Sequence, residues 1–149
     1  MADSFMNDIV CSGALFYAKS TKRFLFLLRS NGKTAGTWGI VGGRQEATDA
    51  STFESLKREI QEEIGFMPEI KKTIPLELFV SKDDRFFYHT YLMIIENEFI
   101  PKLNDEHCGW AWAEFDHYPK PLHQGLRSSF SNKTIRTKLE TVFDIIDII

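Results

Sequence analysis

The chain has 149 residues and a formal net charge of −3, with 43% hydrophobic and 13% aromatic residues. That length fits one domain, and the apolar content supplies one sizeable core, burying roughly 70% of the unfolded surface. The slight acidic excess argues against a general binder of large nucleic acids, which would carry a basic surplus, but leaves room for a small nucleotide held by a few local cations.

The first residues, MADSFMNDIV, carry early acids and no basic n-region. No apolar run in the chain nears the roughly 18 residues of a membrane span, so neither a signal peptide nor a membrane helix is expected. IVCSGALFYA (9–18) and RFLFLLR (23–29) read as strands, and the short KSTK between them suits a hairpin. SNGKTAGT (30–37) is a turn-rich loop, and WGIVGG (38–43) a short strand ending in two glycines. A helix follows. Ser51 with Glu54 three residues later forms a capping-box pattern. Phe53, Leu56, Ile60 and Ile64 recur at helical spacing, and Gly65 and Pro68 stop the helix. IKKTIPLELFVS (70–81) and RFFYHTYLMII (85–95) read as strands joined at KDD, and GWAWAEF (109–115) as another. HYPKPLHQGL (117–126) reads as a loop. Ile135, Leu139, Val142, Phe143 and Ile146 mark a C-terminal amphipathic helix. This order predicts one α/β domain over 1–149, a sandwich with a mixed sheet between helices. Cys11 and Cys108 lie far apart without CxxC spacing, so a reducing, cytoplasmic setting fits better than a disulfide framework or a zinc site.

REIQEEIGF (58–66) concentrates charge. At helical spacing, Glu59, Glu62 and Glu63 fall within roughly 100° of arc, beside the apolar face rather than opposite it. Such a stripe is either a solvated helix face or a cleft wall that holds a hard divalent cation, which takes oxygen ligands.

The context decides between these. GGRQEATDASTFESLKREIQEEIGF (42–66) resembles the Nudix hydrolase signature, G-x5-E-x7-R-E-U-x-E-E-x-G-U, where U is bulky and aliphatic. Arg58, Glu59, Ile60, Glu62, Glu63 and Gly65 complete its right half, with Phe66 at the last bulky position. The left half departs from it. Gly43 lies one residue too far from Arg58, and Ala50 stands where the signature has a glutamate that braces the arginine. Asp49, its neighbour, is the candidate substitute. The strands on either side also suit a Nudix-type α/β/α sandwich with a central mixed β-sheet.

The resemblance implies hydrolysis of a nucleoside diphosphate linked to another group, by water attack at phosphorus, with Mg2+ or Mn2+. It implies Glu59, Glu62 and Glu63 as metal ligands with the Gly42 carbonyl, and Glu59 as base toward the water. Arg58 would orient Glu59, and Gly43 would permit a tight turn. A further acid is expected from LNDEHCGW, Glu106 before Asp105. Arg29, Arg44 and His123 are candidate substrate contacts. His107 lies in a predicted loop, where a functional role is open, while His89 reads as a core histidine. Phe86, Phe87, Tyr88 and Trp110 could stack a base or belong to the core. YHTY (88–91), LNDEHCGWAW (103–112) and PLHQGL (121–126) resemble a subgroup of small, partly phage-encoded Nudix proteins.

For substrate, the leading expectation is ADP-ribose, NADH or a diadenosine polyphosphate. Sanitation of oxidised (d)NTPs and removal of RNA caps are alternatives. A catalytically silent nucleotide-binding Nudix domain is a further one, set against the intact R-E-U-x-E-E segment. A nucleotide is the expected partner, with no large nucleic acid, no membrane and a possible homodimer.

Overall fold

The computed structural model describes residues 8–148. Its elements run β1 (Ile9–Ala18), β2 (Arg23–Arg29), β3 (Trp38–Gly39), β4 (Val41–Arg44), α1 (Thr52–Ile64), β5 (Lys72–Val80), β6 (Phe86–Ile95), β7 (His107–Ala113), α2 (Gln124–Ser131) and α3 (Lys133–Ile145). Short 3-10 turns lie at Phe115–His117 and Ile146–Ile148.

The seven strands form one mixed sheet. β1 and β6 pair in parallel along their whole lengths, while the other pairings are antiparallel. β1 changes partner along its length. Tyr17 and Ala18 pair with β2, whereas Cys11 to Ala14 pair with β4. β2 carries β3 and β7 instead. The sheet therefore divides at one end, and β4 delivers its glycines into that division.

Both faces of the sheet are covered. Alternation along β1 sends Leu15 and Tyr17 to one side, where they pack with Phe24, Phe26 and the apolar faces of α2 and α3. Ala14, Phe16 and Ala18 pack on the other, against Leu56, Ile60 and Ile64 of α1. This two-sided burial explains why β1 reads as a nearly unbroken apolar run rather than as polar–apolar alternation. The expected α/β/α sandwich with a mixed sheet is the observed fold. No helix among the described residues is long and apolar enough to cross a membrane.

Several expectations need adjustment. WGIVGG is two strands, because the chain leaves β2 at Gly39 and joins β1 at Val41. The segment read as a loop over 117–126 runs into a helix, α2, whose first turn is capped by His123. β7 begins at His107, which is buried rather than in a loop. His89 is half-buried on β6 beside Leu78 of the edge strand, not in the core. Phe53 sits at the rim of the helix interface, edge-on to Tyr91.

Candidate active site

Helix α1 places the carboxylates. Ser51 caps it by accepting the Glu54 amide at 3.1 Å, and Gly65 ends it in the left-handed conformation, with φ 88°. Leu56, Ile60 and Ile64 are fully buried and fix the helix rotation. With that rotation set, Glu59 and Glu63, one turn apart, point inward at the apolar border. They are 8% and 2% exposed. Glu106, from the turn before β7, completes a group. One carboxylate oxygen from each of Glu59, Glu63 and Glu106 lies within 4.8 Å of the others. Asp105 stays outside it. Its carbonyl instead accepts the Ser30 hydroxyl at 2.5 Å. Ser30 also donates its amide to the Glu106 carbonyl at 3.0 Å, which ties the Glu106 turn to the end of β2.

Glu62 stands apart. Its side chain is half exposed and faces Arg58, whose Nη1 donates to its oxygens at 3.1 and 3.2 Å. The structure does not bring it to the other three.

The two glycines fit β4 closely between the β1 backbone and the cluster. Gly42 donates its amide to Glu63 Oε1 at 3.1 Å. A Cβ at Gly42 would lie 2.3 Å from the Ser12 carbonyl oxygen. At Gly43 a Cβ would stand 2.5 Å from the Glu59 carboxylate. Neither glycine has positive φ. The expected tight turn at Gly43 is thus replaced by an extended strand residue, which must be glycine because Glu59 occupies the space.

Arg58 is the hub of the surrounding network. Its Nε and Nη2 donate to the two Asp49 oxygens at 2.9 and 3.0 Å. Nη1 donates to Glu59 Oε1 at 3.1 Å, and Nη2 also reaches the Arg44 carbonyl at 3.2 Å. The Glu46 amide donates to Asp49 at 2.7 Å, which closes the loop around it. Asp49 therefore occupies the bracing position that the signature gives to glutamate. The Asp49–Arg58 fork is bidentate, the strongest geometry for such a pair. It holds the Asp49 carboxyl down at about 2 and raises the guanidinium further above its usual value.

The cluster itself is electrostatically loaded. Burial pushes the Glu63 carboxyl up to about 9; the Gly42 amide opposes the rise, and Glu59 and Glu106 add to it. Burial raises Glu59 as well, partly offset by its hydrogen bond with Glu63 and then by Arg58. Buried carboxylates that repel each other are costly to keep charged. A divalent cation supplies the missing positive charge, and an all-oxygen donor set suits Mg2+ or Mn2+. The residues present fit such an ion.

The candidate substrate residues come from the end of β2, from β4 and from the turn before α2. Arg29 ends β2, directly opposite His107 of β7. The Nε of Arg29 and both ring nitrogens of His107 are buried without a hydrogen-bond partner. Burial lowers the His107 pKa, with Arg29 adding to the effect. His123 accepts the Gly125 amide on Nδ1 at 3.1 Å. That leaves its Nε2 to carry the proton. Burial and then Arg29 lower its pKa too. Arg44 is exposed on β4. Trp110 is 44% exposed, while Phe86 packs edge-on to Phe79. Sequence reasoning missed the burial of His107, which its place as the first residue of a short strand does not betray.

No curated protein sequence gives a significant match. Solved structures do, with the same fold. The Nudix domain of Shewanella oneidensis NrtR, solved in complex with ADP ribose, aligns with TM-score 0.71 and 15% identity, covering 93% of each chain. A Caenorhabditis elegans Ap4A hydrolase aligns with TM-score 0.67 and 18% identity, over 90% of this chain and 98% of that one. A MutT protein from Methanosarcina mazei Go1 aligns with TM-score 0.66 and 23% identity, over 87% and 94%. At these identities the likeness concerns the fold. The NUDIX domain family model matches residues 10–132. With that match spanning most of the sheet, α1 and the carboxylate turn, the chain belongs to the Nudix hydrolase family.

Proposed function

We propose that the protein hydrolyses the diphosphate linkage of a nucleoside diphosphate joined to a second group, of the ADP-ribose, NADH or diadenosine polyphosphate type, with Mg2+ or Mn2+. The observation that carries this reading is the convergence of Glu59, Glu63 and Glu106 beside the Arg58-held loop. Fold relatives solved with ADP ribose or described as an Ap4A hydrolase support the substrate class.

Glu59, Glu63 and Glu106 would hold the ion, with Glu62 and the Gly42 carbonyl as outer oxygens. When bound, such an ion withdraws charge from the phosphate oxygens and favours ionised water. The chain's own groups do the rest. Glu59 takes the proton of the attacking water, and Arg58 fixes the Glu59 carboxylate through a charge-assisted hydrogen bond. Asp49 keeps Arg58 from swinging away. Gly43 lets the carboxylate approach the β4 backbone. Arg44 and His123 line the approach as donors to the substrate.

The test is chromatography of products from ADP-ribose, NADH, diadenosine polyphosphates, ordinary and oxidised dNTPs and capped RNA, with Mg2+ and with Mn2+. AMP from the first group is the expected result, and the second product identifies the linked moiety. Pyrophosphate from a dNTP would move the protein to nucleotide sanitation. Binding of a panel member without turnover would make it a silent nucleotide binder.

A further inference from the structure

A cleft of about 270 Å3 opens at the end of the sheet away from the carboxylates. β1 measures the separation. Gly13 pairs with Gly42, which holds Glu63. Tyr17, on the cleft wall, lies four residues further along the strand, or about 13 Å. No residue of the carboxylate cluster or of the Arg58 network lines the cleft. Its walls come from the β1–β2 hairpin, the turn after β7 and the end of α3. They are aromatic. Tyr17, Phe24, Phe115 and Phe143 pack together with ring centroids 4.9–6.4 Å apart. The fold already seats one cation on this cluster, because the Arg136 guanidinium stands 4.8 Å from the Phe115 ring centre. The electronegative face of an aromatic ring attracts such a charge.

The rim is acidic. Asp116 lies 3.7 Å from Arg136 and is engaged by it. Glu114 and Asp147 are exposed and enter none of the ion pairs found among the described residues, nor does Lys22 on the same rim. Arg23 acts on Glu114 but is held by Glu98 at 2.6 Å. Tyr17 adds an inner polar group. The residue is 3% exposed, and among the described residues its hydroxyl has no hydrogen bond, although Asp147 acts on it electrostatically. Buried tyrosine hydroxyls usually find a partner. Unlike the nitrogens of His107, this hydroxyl is not sealed from solvent. It is open to a ligand in the cleft that Tyr17 lines.

We propose that this cleft binds a small alkylammonium ion, with its carbon chain against Phe24 and Phe143, its charge toward Glu114 and Asp147, and one N–H donated to the Tyr17 hydroxyl oxygen. The chemistry of the lining selects that class. Aromatic walls take both an alkyl chain and a cation. Two carboxylates without ion-pair partners favour positive charge and repel an anion. A neutral apolar molecule would leave the Tyr17 hydroxyl unpaired, at a cost in affinity. The site stands apart from the hydrolytic centre and does not depend on the substrate assigned there.

Titration of the full chain with n-butylammonium chloride, followed by backbone amide NMR shifts, tests this. Butanol and sodium butyrate are the neutral and anionic controls of equal chain length. Saturable shifts at Lys22, Glu114 and Asp147 are expected with butylammonium alone. Glu114→Gln combined with Asp147→Asn should weaken binding by about tenfold, and Tyr17→Phe by about threefold. Lys22→Ala removes a like charge from the rim and should strengthen binding about twofold. Tyr17→Phe should unfold no lower than the wild type, because the hydroxyl has no partner to lose. Butanol binding as well as butylammonium would make the cleft a plain apolar crevice and overturn the proposal. No saturable shift at these residues, or unchanged affinity in the double carboxylate variant, would overturn it too. So would a destabilised Tyr17→Phe with unchanged affinity, which would make the hydroxyl structural.

Discussion

Replacing Gly43 with alanine should disable the site while sparing the fold. A Cβ on residue 43 stands 2.5 Å from Glu59 Cδ and Oε1 and 2.7 Å from Oε2. Ordinary contacts between carbons lie at about 3.5–4.0 Å, so the carboxylate must retreat by about 1 Å. It has little freedom to do so. Arg58 holds Oε1 at 3.1 Å, and the Glu59 side chain is only 10% exposed. Misplacing a reacting group by about 1 Å costs on the order of 100-fold in rate, so kcat should fall about that far. The backbone itself tolerates alanine, because φ at Gly43 is not in the left-handed region. Gly39→Ala is the matched control, since its Cβ would meet only the His123 Cβ at 3.9 Å. Steady-state kinetics on the best substrate, with thermal unfolding of both variants, would measure the effect. Gly43→Ala with kcat within about twofold of the wild type would refute the reasoning, because it would show that the Glu59 position does not set the rate.

Other consequences follow from the same network. Asp49→Ala frees the far end of Arg58 and should lower kcat by about 10- to 100-fold, the usual cost of losing a group that orients a ligand. Adding Ala50→Glu should not restore it, because residue 50 faces solvent; recovery in the double variant would contradict the bracing role of Asp49. The raised Glu59 and Glu63 pKa values favour the protonated, metal-free fold. Their stabilisation is present below the ordinary 4.5 and lost as pH rises toward about 9 for Glu63. Without divalent metal, Tm should therefore fall between those limits, and Mg2+ should reverse the fall most strongly at the alkaline end. A flat metal-free profile would contradict the electrostatic account. Activity should rise toward alkaline pH over the same range. Glu106→Gln should weaken Mn2+ binding measured by electron paramagnetic resonance, whereas Asp105→Asn should leave it unchanged.

The parts of the fold that sequence reveals are those with local causes. α1 is bounded by Ser51 and Gly65, whose capping roles depend only on neighbours in the chain, and its ends fall where those residues place them. The long strands are legible because their apolar runs exceed what a loop can hide. What is not legible depends on tertiary partners. Nothing near Ile40 signals that the chain leaves β2 for β1. α2 has only Leu126 and Phe130 buried, and its cap is a histidine rather than a serine or aspartate, so neither periodicity nor capping announces it. In the site, the signature located Glu59 and Glu63, and the carboxylate turn supplied Glu106. Asp49 is legible as the brace from its place beside Ala50, and the structure adds the two-bond fork by which it holds Arg58. The unpaired nitrogens of His107 have no trace in sequence, since burial is set by strands far along the chain.

The central claim is that Glu59 and Glu63 serve a metal-dependent hydrolysis. Turnover of the best nucleoside diphosphate derivative by Glu59→Gln and Glu63→Gln, in saturating Mg2+, tests it most directly. The account requires both to lose on the order of 100-fold or more in kcat, with their folds intact by circular dichroism. Full Mg2+-dependent turnover by both variants would contradict it and place the chemistry elsewhere in the molecule.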